Sequence, residues 1–172
     1  MDTILFVRRL LILILLVAFQ VLILNRIVLF GYVTPLFYLW MIARFDTAMS
    51  RVSMLLWSFF LGLAIDLASG TPGLNASCAT LLGMLQPGFV KLFVSTERHE
   101  MIVPGTASMG RGFIGYLLLL TGLHHTIYFF LRSIPLGDWT ALILKIVFST
   151  LLTLIFMLVT EFLSVTSGRK RS

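Results

Sequence analysis

Asp66 is a carboxylate inside the apolar run Trp57–Ser69, where an ionised group is costly and by default marks a site. Three more ionisable side chains lie within apolar stretches: the adjacent pair His124-His125, and Lys145. Asp66 has two readings. It satisfies backbone N–H groups where Thr71-Pro72-Gly73 turns the chain, capping the following helix, or it binds a substrate or passes protons. His124 and His125 point about 100° apart on a helix and hold one metal ion poorly. No His-x3-His pair or Cys cluster accompanies them, so neither a metal nor a cofactor is expected. His125, Tyr128 and Arg132 share a helical face with Thr121, which reads as a hydrogen-bonded polar face or as a proton-coupled one. The sequence has no supported Ser-His-acid order, phosphate-binding Gly loop or metal signature, so an enzyme is not expected.

The elements that position these residues are membrane spans. The 172 residues are 59% hydrophobic and 12% charged, with mean hydropathy +1.03. Soluble domains carry about 25% charge. Six apolar segments, 9–25, 27–43, 52–69, 75–94, 112–132 and 139–164, each approach the ~20 residues that cross ~30 Å of hydrocarbon. The runs are continuous rather than alternating, which predicts an all-α six-helix membrane bundle over 1–172 and no β-barrel. The first run lacks a small-x-small cleavage site and is read as a retained span. The lone Cys78 excludes a disulfide framework. Pro35 is expected to kink or shorten the second span.

The formal charge of +6 would suggest nucleic-acid binding in a soluble protein, but here the bases flank spans. Arg8, Arg9, Arg44, Arg51, Lys91, Arg98, Arg111, Arg169, Lys170 and Arg171 fall on the side of the two termini, and only Arg26 and Arg132 on the other. This asymmetry predicts cytoplasmic termini, and no nucleic-acid partner is expected. The aromatic residues Phe30, Tyr32, Trp40, Trp57 and Trp139 read as an interfacial belt or lipid-facing surface.

Small residues predict where helices meet. Ser58, Gly62, Asp66 and Gly70 recur every four residues on the third span, and Ala76, Ala79 or Thr80, and Gly83 put small side chains on one face of the fourth. Pro72 and Gly73 shape the turn between them, with Thr71 or Asn75 as candidate cap. Lys145, Ser149, Thr153, Thr160 or Glu161, and Ser164 form a polar stripe on the last span. Lys145 shares the depth of Asp66, so it either pairs with Asp66 or snorkels outward, while Glu161 is expected to stay wet near the inner surface. Straight helices would set Asp66 and the His pair about half the bilayer apart.

The motif Gly62-Leu63…Asp66 leading into Ser69-Gly70-Thr71-Pro72-Gly73-Leu74-Asn75-Ala76, with Leu29-Phe30-Gly31-Tyr32-Val33-Thr34-Pro35 upstream and His124-His125 in the fifth span, resembles the rod shape-determining protein MreD family in its Bacteroidetes-like form. The resemblance implies a non-enzymatic role in cell-wall elongation at the bacterial inner membrane. It further implies MreC, MreB, RodA and a penicillin-binding transpeptidase as partners, besides membrane lipid. It also implies a fold similar to the S components of energy-coupling-factor vitamin transporters. Such an S component is the alternative reading. Those proteins commonly carry a small-x3-small motif on the first helix, whereas Ala18 is the sole small residue between Leu10 and Leu24 here.

Overall fold

The computed structural model describes residues 3–26, 33–94, 102–133 and 138–169. Among these, all regular structure is helical: α1 (Thr3–Leu22, followed by a 3-10 turn at Leu24–Arg26), α2 (Leu39–Ala43), α3 (Arg51–Ser69), α4 (Leu74–Phe93), α5 (Thr106–Met109), α6 (Gly112–Ser133) and α7 (Trp139–Arg169). Five of these helices, α1, α3, α4, α6 and α7, are long and apolar enough to cross a membrane, so the chain is a multi-pass membrane protein. Phe30, Tyr32, Glu97, Arg98, Lys170 and Arg171 lie outside the described residues, as does part of the expected second span.

The long helices pack in chain order. The α3–α4 hairpin has the most extensive interface, α4 packs on α6, α6 on α7, and α1 on α3. The end of α1 meets the end of α3, where Asn25 Nδ2 donates to Ser69 Oγ at 2.9 Å. The core is centred on residues 36–45, where Tyr38, Leu39, Ile42 and Ala43 have no exposed surface.

That central segment corrects the expectation of a second spanning helix. Val33–Leu36 is not helical, and α2 has only five residues. Pro35 has no N–H and biases Thr34 away from helical geometry, so the helix cannot start upstream of it without strain. Hydropathy alone does not register this, because the segment is apolar. The non-helical backbone lies in the bundle interior, where its polar groups need protein partners. Every surrounding long helix except α3 supplies one. Gln20 of α1 donates from Nε2 to the Pro35 carbonyl at 2.8 Å and accepts at Oε1 from Tyr38 N–H at 3.3 Å. Ser149 and Thr153 of α7 accept from the N–H groups of Thr34 and Leu36, both at 3.0 Å. Tyr116 of α6 donates to the Ala43 carbonyl at 2.9 Å, and Gln86 of α4 donates to that of Phe45 at 3.2 Å.

Two further expectations are corrected. Glu161 is buried, not wet: it pairs with Arg44 at 3.0 Å and accepts from the N–H and hydroxyl of Thr106 at 2.7 and 2.9 Å. The loop before α6 folds back and encloses it. Trp57 is buried against Phe6 of α1 rather than facing lipid, and Trp40 stacks on Phe37. Trp139, 67% exposed at the start of α7, has the exposure an interfacial residue would have.

The α3–α4 hairpin closes on Gly62 and Gly83. A Cβ at Gly62 would lie 2.5 Å from the Asn75 carbonyl oxygen and 2.6 Å from Ala76 Cα, and one at Gly83 would lie 2.2 Å from Ser58 Oγ. The Gly62 contact is with backbone and cannot be relieved by a rotamer change. Gly70, by contrast, has open space around it but a φ of 65° at the α3 C-cap. Gly62→Leu should therefore cost ~3 kcal/mol or prevent folding, whereas Gly70→Ala should cost only about 1 kcal/mol. Thermal unfolding of the purified variants in detergent measures both. Equal losses would show that steric closure of the hairpin is not what Gly62 provides.

Candidate functional site

The motif residues build the turn between α3 and α4. α3 ends at Gly70, whose left-handed conformation lets its N–H reach back to the Asp66 carbonyl. α4 starts after Gly73, also left-handed at φ 80°, and no side chain at that cap position serves the helix. The cap comes instead from the preceding helix. Asp66 Oδ1 accepts from Asn75 N–H at 3.0 Å and Oδ2 from Ala76 N–H at 2.8 Å. A carboxylate there answers the unpaired first-turn N–H groups and the positive end of the helix dipole. Thr71 and Asn75, the expected caps, orient the carboxylate: Thr71 Oγ1 donates to Oδ1 at 2.8 Å and Asn75 Nδ2 at 2.9 Å. Pro72 sits between the two left-handed glycine regions without needing an N–H. Four donor groups of its own hairpin thus satisfy Asp66, which is 2% exposed. Lys145 is half-buried on α7, one turn before Ser149.

The network continues into the core. Tyr38 Oη donates to Asn75 Oδ1 at 3.0 Å. With its one proton so used, Tyr38 Oη accepts from His124 Nε2 at 3.1 Å, so His124 carries its proton on Nε2. Its Nδ1 is buried without a partner. The donors therefore run in one direction, His124 to Tyr38 to Asn75 to Asp66, and terminate on the carboxylate. This corrects the expected separation of half a bilayer: the two residues come from different helices, and two side chains bridge them. His125 is a separate pair. Its Nδ1 donates to the Thr121 carbonyl at 2.8 Å, and its Nε2 faces Thr153 Oγ1 at 3.3 Å. The adjacent histidines thus serve different neighbours. His124 ties α6 to the central segment and the hairpin, and His125 ties α6 to α7.

Tyr38, Gln20, Gln86 and Tyr116 were not singled out from the sequence. Gln20 and Gln86 carried a signal, as polar side chains inside apolar spans. Tyr38 carried none, because Phe37-Tyr38-Leu39-Trp40 reads as ordinary aromatic span. Among the described residues no group of three or more His, Cys, Asp or Glu side chains could hold a metal ion. The network's hydrogen bonds join α3, α4, α6 and the central segment. Its acidic group is enclosed and its neutral donors are all directed at it.

Beyond the network, at the end of the bundle where α1, α3 and α6 finish, lies a cavity of about 340 Å³. Asn75, Tyr128, Arg26 and Arg132 are among the residues that line it. A second cavity of about 400 Å³ lies at the other end, between Arg8, Arg9, Arg44 and Thr160.

Removing the Tyr38 hydroxyl leaves Asn75 Oδ1 and the His124 Nε2–H without partners in a buried site. Tyr38→Phe should cost about 1–3 kcal/mol. Asp66→Asn turns an amide against backbone N–H groups or loses an acceptor, and should cost at least as much. Because both changes act on one network, the double variant should lose less than the sum of the single losses. A double-mutant cycle by reversible unfolding in detergent checks this, and strict additivity would show that the two ends are not coupled.

No family model, curated protein or solved structure matches the chain.

Proposed function

We propose that the chain is a non-enzymatic membrane scaffold of the bacterial cell-elongation machinery, of the MreD type. It resides in the inner membrane with cytoplasmic termini. Six crossings belong to this reading, five of them the long helices α1, α3, α4, α6 and α7. It binds MreC and thereby helps organise peptidoglycan synthesis and cell shape together with MreB, RodA and a penicillin-binding transpeptidase.

One observation carries this reading. The residues of the Gly62–Ala76 motif are engaged in building a closed helical hairpin: Gly62 admits the α4 backbone, and Asp66 caps α4. Chemistry on a substrate would need an acid, base or nucleophile facing an opening, and the motif presents its glycines and its capped turn instead. A rigid hairpin is what a docking platform requires. α1, whose Ile4, Leu11, Ile14, Leu15 and Leu22 are more than half exposed, offers a long apolar face along which a single-span partner can pack. The cavity beside Arg26 and Arg132 favours the second reading, an S component that holds a small ligand.

Co-expression with MreC from the same organism and purification in mild detergent tests the proposal. A stable complex is expected. It should be lost in Gly62→Leu, and it should persist in Gly122→Ala, whose added Cβ meets no neighbouring atom within 4 Å. Failure of well-folded wild-type protein to retain MreC would overturn the scaffold reading. A vitamin-sized ligand found by mass spectrometry in that same preparation would establish the second.

A further inference from the structure

The outer-end cavity has a composition that the packing of the bundle does not explain. Sequence places twelve bases at the ends of the spans, and all but Arg26 and Arg132 on the side of the termini. The two exceptions come from different elements, the turn after α1 and the last turn of α6, and they line the same cavity. Two exposed guanidinium groups with no carboxylate partner among the described residues line one space, which makes it attractive to an anion.

The anion does not come from the wall of the cavity. No Asp or Glu is among its lining residues, and the oxygens of Asp66, below Asn75 and Thr71, are engaged by Thr71, Asn75 and Ala76. Asp138, at the start of α7, accepts from Ala141 N–H at 3.0 Å and does not line the cavity. Among the described residues the Arg26 guanidinium has no hydrogen-bond or ion-pair partner. Arg132 is already oriented: its Nη1 donates to Tyr128 Oη at 2.7 Å, and its guanidinium carbon lies 5.9 Å from the Tyr128 ring centroid.

Neutral donors remain available beside the two arginines. Tyr128 Oη accepts from Arg132, which leaves its own proton free. Ser69 Oγ accepts from Asn25 at 2.9 Å, which leaves its proton free as well. Val21, Leu36 and Ile65 add apolar surface to the lining, which lowers the local dielectric and strengthens charge-assisted hydrogen bonds. Guanidinium forks match phosphate oxygens in geometry. The volume of about 340 Å³ is within the range of small-ligand sites. Its depth is that of lipid headgroups, because both arginines stand at the ends of membrane-spanning helices.

We propose that this cavity is a phosphate-binding site at the membrane surface, with Arg26 and Arg132 as the two clamps and Tyr128 and Ser69 as neutral donors. The inference does not depend on the scaffold reading: the cavity would take the same group whichever partners the bundle has. A phospholipid headgroup, or a phosphate carried by a soluble molecule, supplies this chemistry.

Native mass spectrometry of the full-length protein from detergent tests the site, with stepwise delipidation and back-titration of phosphatidylglycerol. Wild type should retain the lipid, and Arg26→Gln/Arg132→Gln should bind it at least about tenfold more weakly. Lys91→Gln/Arg111→Gln removes two bases at the opposite end and should bind as wild type does. A parallel arm measures thermal stability in inorganic phosphate against chloride of equal ionic strength. A phosphate-specific rise that is absent from the arginine variant, without lipid retention, supports the site and assigns it to a soluble phosphate. Should the double variant fail to fold, Arg132→Lys keeps the charge and loses the fork, and several-fold weaker binding is expected. Equal lipid retention and equal phosphate response in wild type and a folded arginine variant would overturn the proposal.

Discussion

A backbone that is not helical cannot lie at membrane depth unless the protein itself supplies its hydrogen bonds. Residues 33–38 impose that condition on this molecule. Pro35 prevents the segment from satisfying itself as a helix, and the surrounding bundle answers with Gln20, Ser149 and Thr153, while Tyr116 and Gln86 take the carbonyls of Ala43 and Phe45 just downstream. Each of these polar side chains would be costly inside a helix facing lipid. Their placement therefore fixes which face of α1, α4, α6 and α7 turns inward. In an apolar medium hydrophobicity does not discriminate between helix faces, because lipid tails are as apolar as leucine. Polar satisfaction supplies the specificity that the hydrophobic effect supplies in water.

The hairpin of α3 and α4 solves a different problem by a related means. Two helices joined by a short turn leave unpaired N–H groups at the start of the second. Asp66 meets them from the helix before the turn, which ties the closing geometry of the hairpin to one carboxylate. The approach of the helices at Gly62 brings Asn75 and Ala76 within its reach. Asn75 then carries the network to Tyr38 and His124, so the hairpin, the central segment and α6 are ordered together. A second lock stands at the opposite end, where Glu161 joins α7 to Arg44 and to the loop at Thr106.

These two locks leave the bundle with few uncommitted polar groups in its interior, and with its remaining chemistry at the two ends. The end near Arg8 and Arg9 combines cations with Asp46 and the neutralised Arg44–Glu161 pair. The end near Arg26 and Arg132 has cations without facing carboxylates.

Sequence by itself determined the membrane class, four of the five long helices to within a few residues of where they lie, the small-residue face of the hairpin and the turn at Gly70–Gly73. These are local or compositional properties. Apolar length sets a span, and glycine or proline sets a turn whatever the rest of the chain does. Sequence extended the same logic to 27–43 and overreached, because hydropathy measures transfer into an apolar phase and is blind to whether the backbone can pair with itself. Tertiary structure alone decided that residues 36–45 become the core, that Glu161 is enclosed, that His124 reaches Asp66 through Tyr38 and Asn75, and that two bases distant in sequence share one cavity. Each of these depends on how helices rotate and approach one another, which is settled by pairwise contacts between residues far apart in the chain and leaves no mark on the composition or periodicity of either partner.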